Sequence, residues 1–176
     1  MGARLMANNR KIGVMVGSKS DLSQCQAGLQ SLRNAVSEGL VEVPFVIINS
    51  IHRNTDEVLE NLLCIDHFEE VDVLIVGAGW ANHLSGTVDA YLRNSLQNNH
   101  IVVYAIAFED SNNEDHTLAA ILSITEVPSF KGVFRDYIGS AGFLKACEDA
   151  VSDPLEKIKL PESRPTVKLS LDEALV

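Results

Sequence analysis

The chain has 176 residues, enough for one domain with a full hydrophobic core and too few for two. Apolar residues make up 46% and charged residues 22%, a globular composition that excludes a disordered or fibrous chain. A net charge of −10 repels polyanions, so nucleic acid and anionic membranes are set aside as partners, while a small phosphate ligand still depends on local geometry.

Residues 1–10, MGARLMANNR, lack the apolar core of a secretion signal, and no apolar run approaches the roughly 20 residues that cross a bilayer. They read as a disordered or tag-like N-terminus on a cytoplasmic protein. The run KIGVMV then breaks at Gly17, and apolar residues recur at Leu22, Cys25, Leu29, Leu32 and Val36, which predicts a strand followed by an amphipathic helix. The unit repeats. VEVPFVIIN precedes TDEVLENLLCIDHF, VDVLIVGAG precedes HLSGTVDAYLRNSL, IVVYAIAF precedes NEDHTLAAILSIT, and a weaker strand, GVFRD, precedes GSAGFLKACEDAV.

Strands that are continuous apolar runs, alternating with helices, imply a parallel sheet buried on both faces. The expected fold is therefore α/β, a flavodoxin-like three-layer sandwich over residues 11–151 with a five-stranded parallel sheet in the order 2-1-3-4-5. Residues 152–176 hold three of the five prolines and no apolar periodicity, and read as a C-terminal arm or tail. Cys25, Cys64 and Cys147 are widely spaced and read as reduced packing residues.

Open parallel sheets bind ligands beyond the carboxyl ends of their strands, where the strand order reverses. Three loops lie there. Gly17-Ser18-Lys19-Ser20-Asp21 leads into a helix N-terminus, where free N–H groups and the helix dipole favour an anion, and Ser18 and Ser20 add hydroxyls; Ser20 or Asp21 could equally cap the helix. In Asn49-Ser50-Ile51-His52-Arg53, Arg53 can hold a phosphate while the His52 imidazole moves a proton near neutral pH; Thr55 or Asp56 is the expected cap of the next helix. In Gly77-Ala78-Gly79-Trp80-Ala81-Asn82-His83 the glycines mark a close approach of ligand or backbone, and His83 could face the same cleft. His67, His100 and His116 read as surface residues, the acidic group Glu109, Asp110, Glu114 and Asp115 as a solvated loop, and no spacing suggests a metal site.

Together GVMVGSKSDL, NSIHRNTDEV and GAGWANHLSG resemble the GSKSD, SAHRTP and GAGGAAHLPG segments of the PurE family, in order and spacing, over residues 11 to about 151. That resemblance implies an enzyme of purine synthesis interconverting N5-carboxyaminoimidazole ribonucleotide, or aminoimidazole ribonucleotide plus CO2, with 4-carboxyaminoimidazole ribonucleotide. It implies no cofactor, no metal, and a homo-octamer. It also implies that His52 is the catalytic acid and base, that Ser18, Ser20, Asp21 and Arg53 hold the ribose 5-phosphate portion, and that Ser50, Gly77, Gly79 and His83 line the same cleft.

The sequence departs from the family pattern at Trp80 for a glycine, Asn82 for an alanine and Ser85 for a proline, and loosely beyond residue 108. An indole at residue 80 is expected to fill or reshape the pocket. Two other readings stay open: a lyase or carboxylase of this fold acting on another phosphorylated heterocycle, and a non-catalytic nucleotide-binding protein. A flavodoxin-type electron carrier would bind FMN and be yellow.

Overall fold

Two apolar layers on opposite faces of one parallel sheet organise the chain. The computed structural model describes residues 9–127 and 135–175, apart from 156 and 163. Strands β1 (Arg10–Val16), β4 (Val73–Ala78) and β5 (Val102–Ala107) form its centre, with β2 (Val41–Glu42) and β3 (Val46–Ile48) on one side and β6 (Arg135–Ile138) on the other. The order is β2-β1-β4-β5-β6, with β3 also pairing β1, and every pairing is parallel.

Six strands stand where five were expected because the second is broken. Pro44 lies between its two pieces; it has no N–H to donate to the ladder, and the chain steps away from β1 around it. Counted as one strand, β2 and β3 give the expected order 2-1-3-4-5, and the flavodoxin-like sandwich stands. At the far edge the described part of the strand is Arg135–Ile138, and residues 132–134 of the expected GVFRD strand lie outside the described residues.

Helices α1 (Leu22–Ser37) and α5 (Gly139–Ser152) cover one face, packing Cys25, Leu32, Phe143 and Cys147 on Val14, Ile75 and Tyr104. Helices α2 (Thr55–His67) and α3 (His83–Ala90) cover the other, with Val58, Leu62, Leu84 and Val88 on Met15, Leu74 and Val76. Beside them α4 (Glu114–Thr125) sets Ala120 and Ile124 against Ala105 and Ala107. Alternation of side chains along each central strand feeds both layers, which is why those strands are apolar throughout.

The buried stripe of α1 differs from the expected one. Gly28 and Ala35 are buried, while Val36 is 43% exposed. The cause is close packing on α5: a methyl at Gly28 would lie 2.5 Å from Phe143. Cys25 and Cys147 are buried there, and burial pushes the Cys25 thiol up to about 12, so both act as packing groups; Cys64 is exposed on α2.

After α5 the chain returns to its own core. Ile158 is buried among the α1–α5 layer and its N–H donates to the Asn99 carbonyl at 3.1 Å, so the segment 152–176 is not wholly an arm or free tail. Near its end a short helix, α6 (Leu171–Ala174), is closed by a capping box between Ser170 and Glu173. Among the described residues no helix is long and apolar enough to cross a membrane.

Candidate active site

The carboxyl ends of β1, β3 and β4 bring the three loops to one cavity of about 420 Å³. Of the residues singled out in the sequence, Ser18, Ser20, Asp21, Ser50, His52, Arg53, Gly79 and His83 all line it, with Trp80 and the apolar Ile51 and Leu84. Gly77 does not. It lies inside β4 beneath Phe108, whose ring would be 2.5 Å from a methyl at that position, so its small size serves strand packing rather than a ligand.

In the first loop a single turn of 3-10 helix, Lys19–Asp21, precedes α1. Ser18 caps it, accepting hydrogen bonds from the Ser20 N–H at 3.4 Å and the Ser20 hydroxyl at 2.9 Å. Asp21 stands at the N-cap position of α1 but makes no capping bond there. Its carboxyl turns toward the third loop, with Oδ1 3.5 Å from where a Gly79 side chain would begin. Burial, the larger influence, raises the Asp21 carboxyl above its ordinary value, against the pull of the Gly79 N–H.

The second loop closes on itself through Ser50, whose carbonyl accepts from the N–H groups of Arg53 at 3.1 Å and Asn54 at 2.8 Å. Neither Thr55 nor Asp56 caps α2: Asn54 holds the cap position without a side-chain bond, and the Thr55 hydroxyl donates back to the Ile51 carbonyl at 2.5 Å. This tight turn sets His52 and Arg53 side by side at the cavity mouth. Among the described residues Arg53 makes only a long contact, Nη2 to the Gly17 carbonyl at 3.5 Å, which leaves its other donors available to an anion.

Across the cavity His52 Nε2 meets His83 Nδ1 at 2.9 Å, and the two rings sit edge to face with centroids 4.9 Å apart. Between neutral rings one nitrogen must donate and the other accept, so the tautomers of His52 and His83 are coupled.

The third loop explains two of its own departures. Asn82 is fully buried; its amide donates to the Ile106 carbonyl at 2.7 Å and its oxygen caps α3 by accepting the Ser85 N–H at 3.1 Å. The Ser85 hydroxyl donates to the Val76 carbonyl at 2.9 Å or to the Asn82 oxygen at 3.0 Å. A proline at residue 85 would have no N–H for that cap, so Asn82 and Ser85 depend on each other.

Trp80 is different. It has φ 56°, in the left-handed region where a non-glycine residue costs about 1–3 kcal/mol. It lines the cavity without filling it, remaining 65% exposed, and its indole stacks on His116 with centroids 4.0 Å apart and planes inclined by 23°. His116 was not legible as part of the site. Its Nδ1 lies 2.8 Å from the Asp110 carboxylate and its Nε2 3.1 Å from the Asn113 amide nitrogen. The hydrogen bond from His116 is the main cause that holds the Asp110 carboxyl below its ordinary value, so Asp110 is more than part of a solvated loop. Beyond Trp80 a second, more polar cavity of about 920 Å³ opens between the first loop and the segment 109–121.

The family model of AIR carboxylase matches residues 11–144, three quarters of the chain and all three loops. The chain belongs to the AIR carboxylase family. A crystal structure of Treponema denticola PurE superposes with a TM-score of 0.57 at 19% identity, covering 81% of this chain and 87% of that one. A crystal structure of a Treponema denticola PurE2 variant gives 0.57 at 18% identity with the same coverage. These likenesses carry the fold. No curated protein matches the sequence. Among the described residues of this family member, no group of three His, Cys, Asp or Glu side chains is arranged to hold a metal ion.

Proposed function

We propose that the chain interconverts N5-carboxyaminoimidazole ribonucleotide, or aminoimidazole ribonucleotide plus CO2, with 4-carboxyaminoimidazole ribonucleotide, as an enzyme of purine synthesis. The observation that carries this reading is the His52–His83 hydrogen bond of 2.9 Å in a cavity that also holds Arg53 and the Ser18–Asp21 turn. An anion anchor and a proton carrier share one enclosure, and membership of the AIR carboxylase family gives the two a common substrate.

Arg53 and the hydroxyls of Ser18 and Ser20 bind the 5-phosphate, which fixes the ring against the imidazole of His52. His52 gives a proton to the exocyclic nitrogen as its bond to the carboxyl carbon breaks, leaving an amine and CO2. Carbon 4 of the ring then bonds to that CO2, and His52 takes the proton carbon 4 had carried, so one proton leaves the side chain and one returns. Starting from free CO2, only the second half is needed. His83 orients the His52 ring in both steps, and the CO2 must be retained beside the ring until it meets carbon 4.

The test is to supply the purified full-length chain with 4-carboxyaminoimidazole ribonucleotide and follow loss of the carboxyl group by its ultraviolet absorbance. Turnover abolished by His52→Asn is the expected result; no turnover by the native chain rejects the reading. A homo-oligomer, an octamer by family resemblance, and a cytoplasmic location belong to the same proposal, and light scattering in solution tests the first.

A further inference from the structure

Trp80 departs from the glycine of the family pattern at a backbone position that disfavours any side chain, since its φ is 56°. A strained residue persists where its surroundings hold it in place, and here they do. Asn113 Oδ1 accepts the Asp115 N–H at 3.0 Å, capping α4, which turns the Asn113 amide nitrogen toward His116 Nε2. The amide nitrogen donates, so His116 Nε2 accepts, and Nδ1 carries the proton and donates it to Asp110 at 2.8 Å. The His116 ring is fixed from both sides and covers one face of the indole.

Yet the residue remains 65% exposed beside the cavity that holds His52, Arg53 and Ser18. Fastening two loops together would be met by the covered face alone. We propose that the open face of Trp80 stacks on the planar heterocycle of the bound ligand, making Trp80 a substrate-positioning residue that the glycine of the pattern cannot replace, with His116 holding the indole for that contact. An aromatic face in this place favours a flat, electron-rich ring over a bare sugar phosphate. The inference rests on the proposed function for the identity of that ring.

Trp80 is the only tryptophan in the chain, so its emission reports on this contact directly. In the full-length His52→Asn variant, which holds ligand without turning it over, aminoimidazole ribonucleotide is expected to change the emission saturably. Ribose 5-phosphate, which has the anchor but no ring, is expected to displace it and leave the emission of the ring-free state. Trp80→Gly in the otherwise native chain should raise KM about tenfold with kcat within about twofold, and Trp80→Phe should restore most of the loss. His116→Ala should weaken the emission response, and His116→Phe, which keeps a stacking ring, should retain it.

Turnover by the native chain with no emission response to the ring ligand, or with an unchanged KM in Trp80→Gly, overturns the stacking role and leaves the proposed function standing. A saturable response without turnover keeps the stack and removes the reaction. An emission change that follows protein concentration instead of ligand overturns the proposal by placing the indole between copies of the chain, and neither response nor turnover overturns both readings.

Discussion

His52 and His83 come from different loops, and their ring nitrogens meet at 2.9 Å with the ring planes inclined by 69°. A hydrogen bond in that geometry holds the tilt of the His52 ring and couples the tautomers of the two imidazoles. Loss of the titrating group and loss of its partner should therefore differ in size. His52→Asn is expected to lower kcat by about 100- to 10,000-fold with KM little changed. His83→Asn should lower kcat by about tenfold, as expected for one net hydrogen bond of orientation. Steady-state kinetics on the two variants checks this, and equal losses would give His83 a direct part in proton transfer.

Among the described residues that line the cavity, Arg53 is the one Lys or Arg, in a chain of net charge −10. Its guanidinium has no short partner among the described residues, so the donors it would offer a phosphate are not spent on them. Arg53→Ala should weaken binding of ribose 5-phosphate by about 10- to 100-fold, the range for hydrogen bonds to a charged group. Arg53→Lys should recover only part, because an ammonium cannot present the two parallel donors. Calorimetric titration would measure both, and unchanged affinity in Arg53→Ala would remove Arg53 from the anchor.

Asp21 trades stability for position. Burial raises its carboxyl above the ordinary value of 3.8, so between that value and its folded one the native chain holds the proton more firmly than the unfolded chain. Its contribution to stability is whole below the unfolded pKa and is lost as pH rises through the folded pKa. Asp21→Asn cannot ionise, so its Tm should gain on the native chain as pH rises from about 3 to about 7. Thermal unfolding across that range tests the sign. A difference in Tm that stays constant with pH would show that ionisation of Asp21 carries no cost in the fold.

The parts of the molecule that were legible in the sequence are those that local pattern determines. β1, β4 and β5 are buried on both faces, so each appears as an unbroken apolar run, and the switch-point rule then brought eight cavity-lining residues together from three loops. The misreadings have a shared physical origin in contacts between distant segments. Gly28 could be recognised as a buried position only with Phe143 in view, and Gly77 as a packing glycine only with Phe108 above it. His116 looked like a surface residue because the positive φ that swings Trp80 onto it belongs to another loop. Ordinary hydrophobic periodicity carries none of these contacts.

Beneath the third loop, α3 continues into a π-helical turn, Tyr91–Ser95, and a buried ion pair joins Asp89 of α3 to Arg93 of the turn at 3.1 Å. Arg93 is 2% exposed, and its guanidinium also donates to the carbonyls of Asn98 at 3.0 Å and Ile101 at 2.6 Å, tying the end of the helix to the entry of β5. Burial pushes the Asp89 carboxyl up and the Arg93 guanidinium down, and each is pulled back by the other, so neither charge is comfortable alone. Arg93→Ala should cost about 3–5 kcal/mol, since it strands the carboxylate and frees two carbonyls. Asp89→Leu combined with Arg93→Met should cost less than the sum of the single changes, because no unpaired charge is left buried. Urea denaturation of the single and double variants measures this coupling. Strict additivity would mean that the two side chains hold β5 in place independently, through the carbonyl contacts of Arg93 rather than through the ion pair.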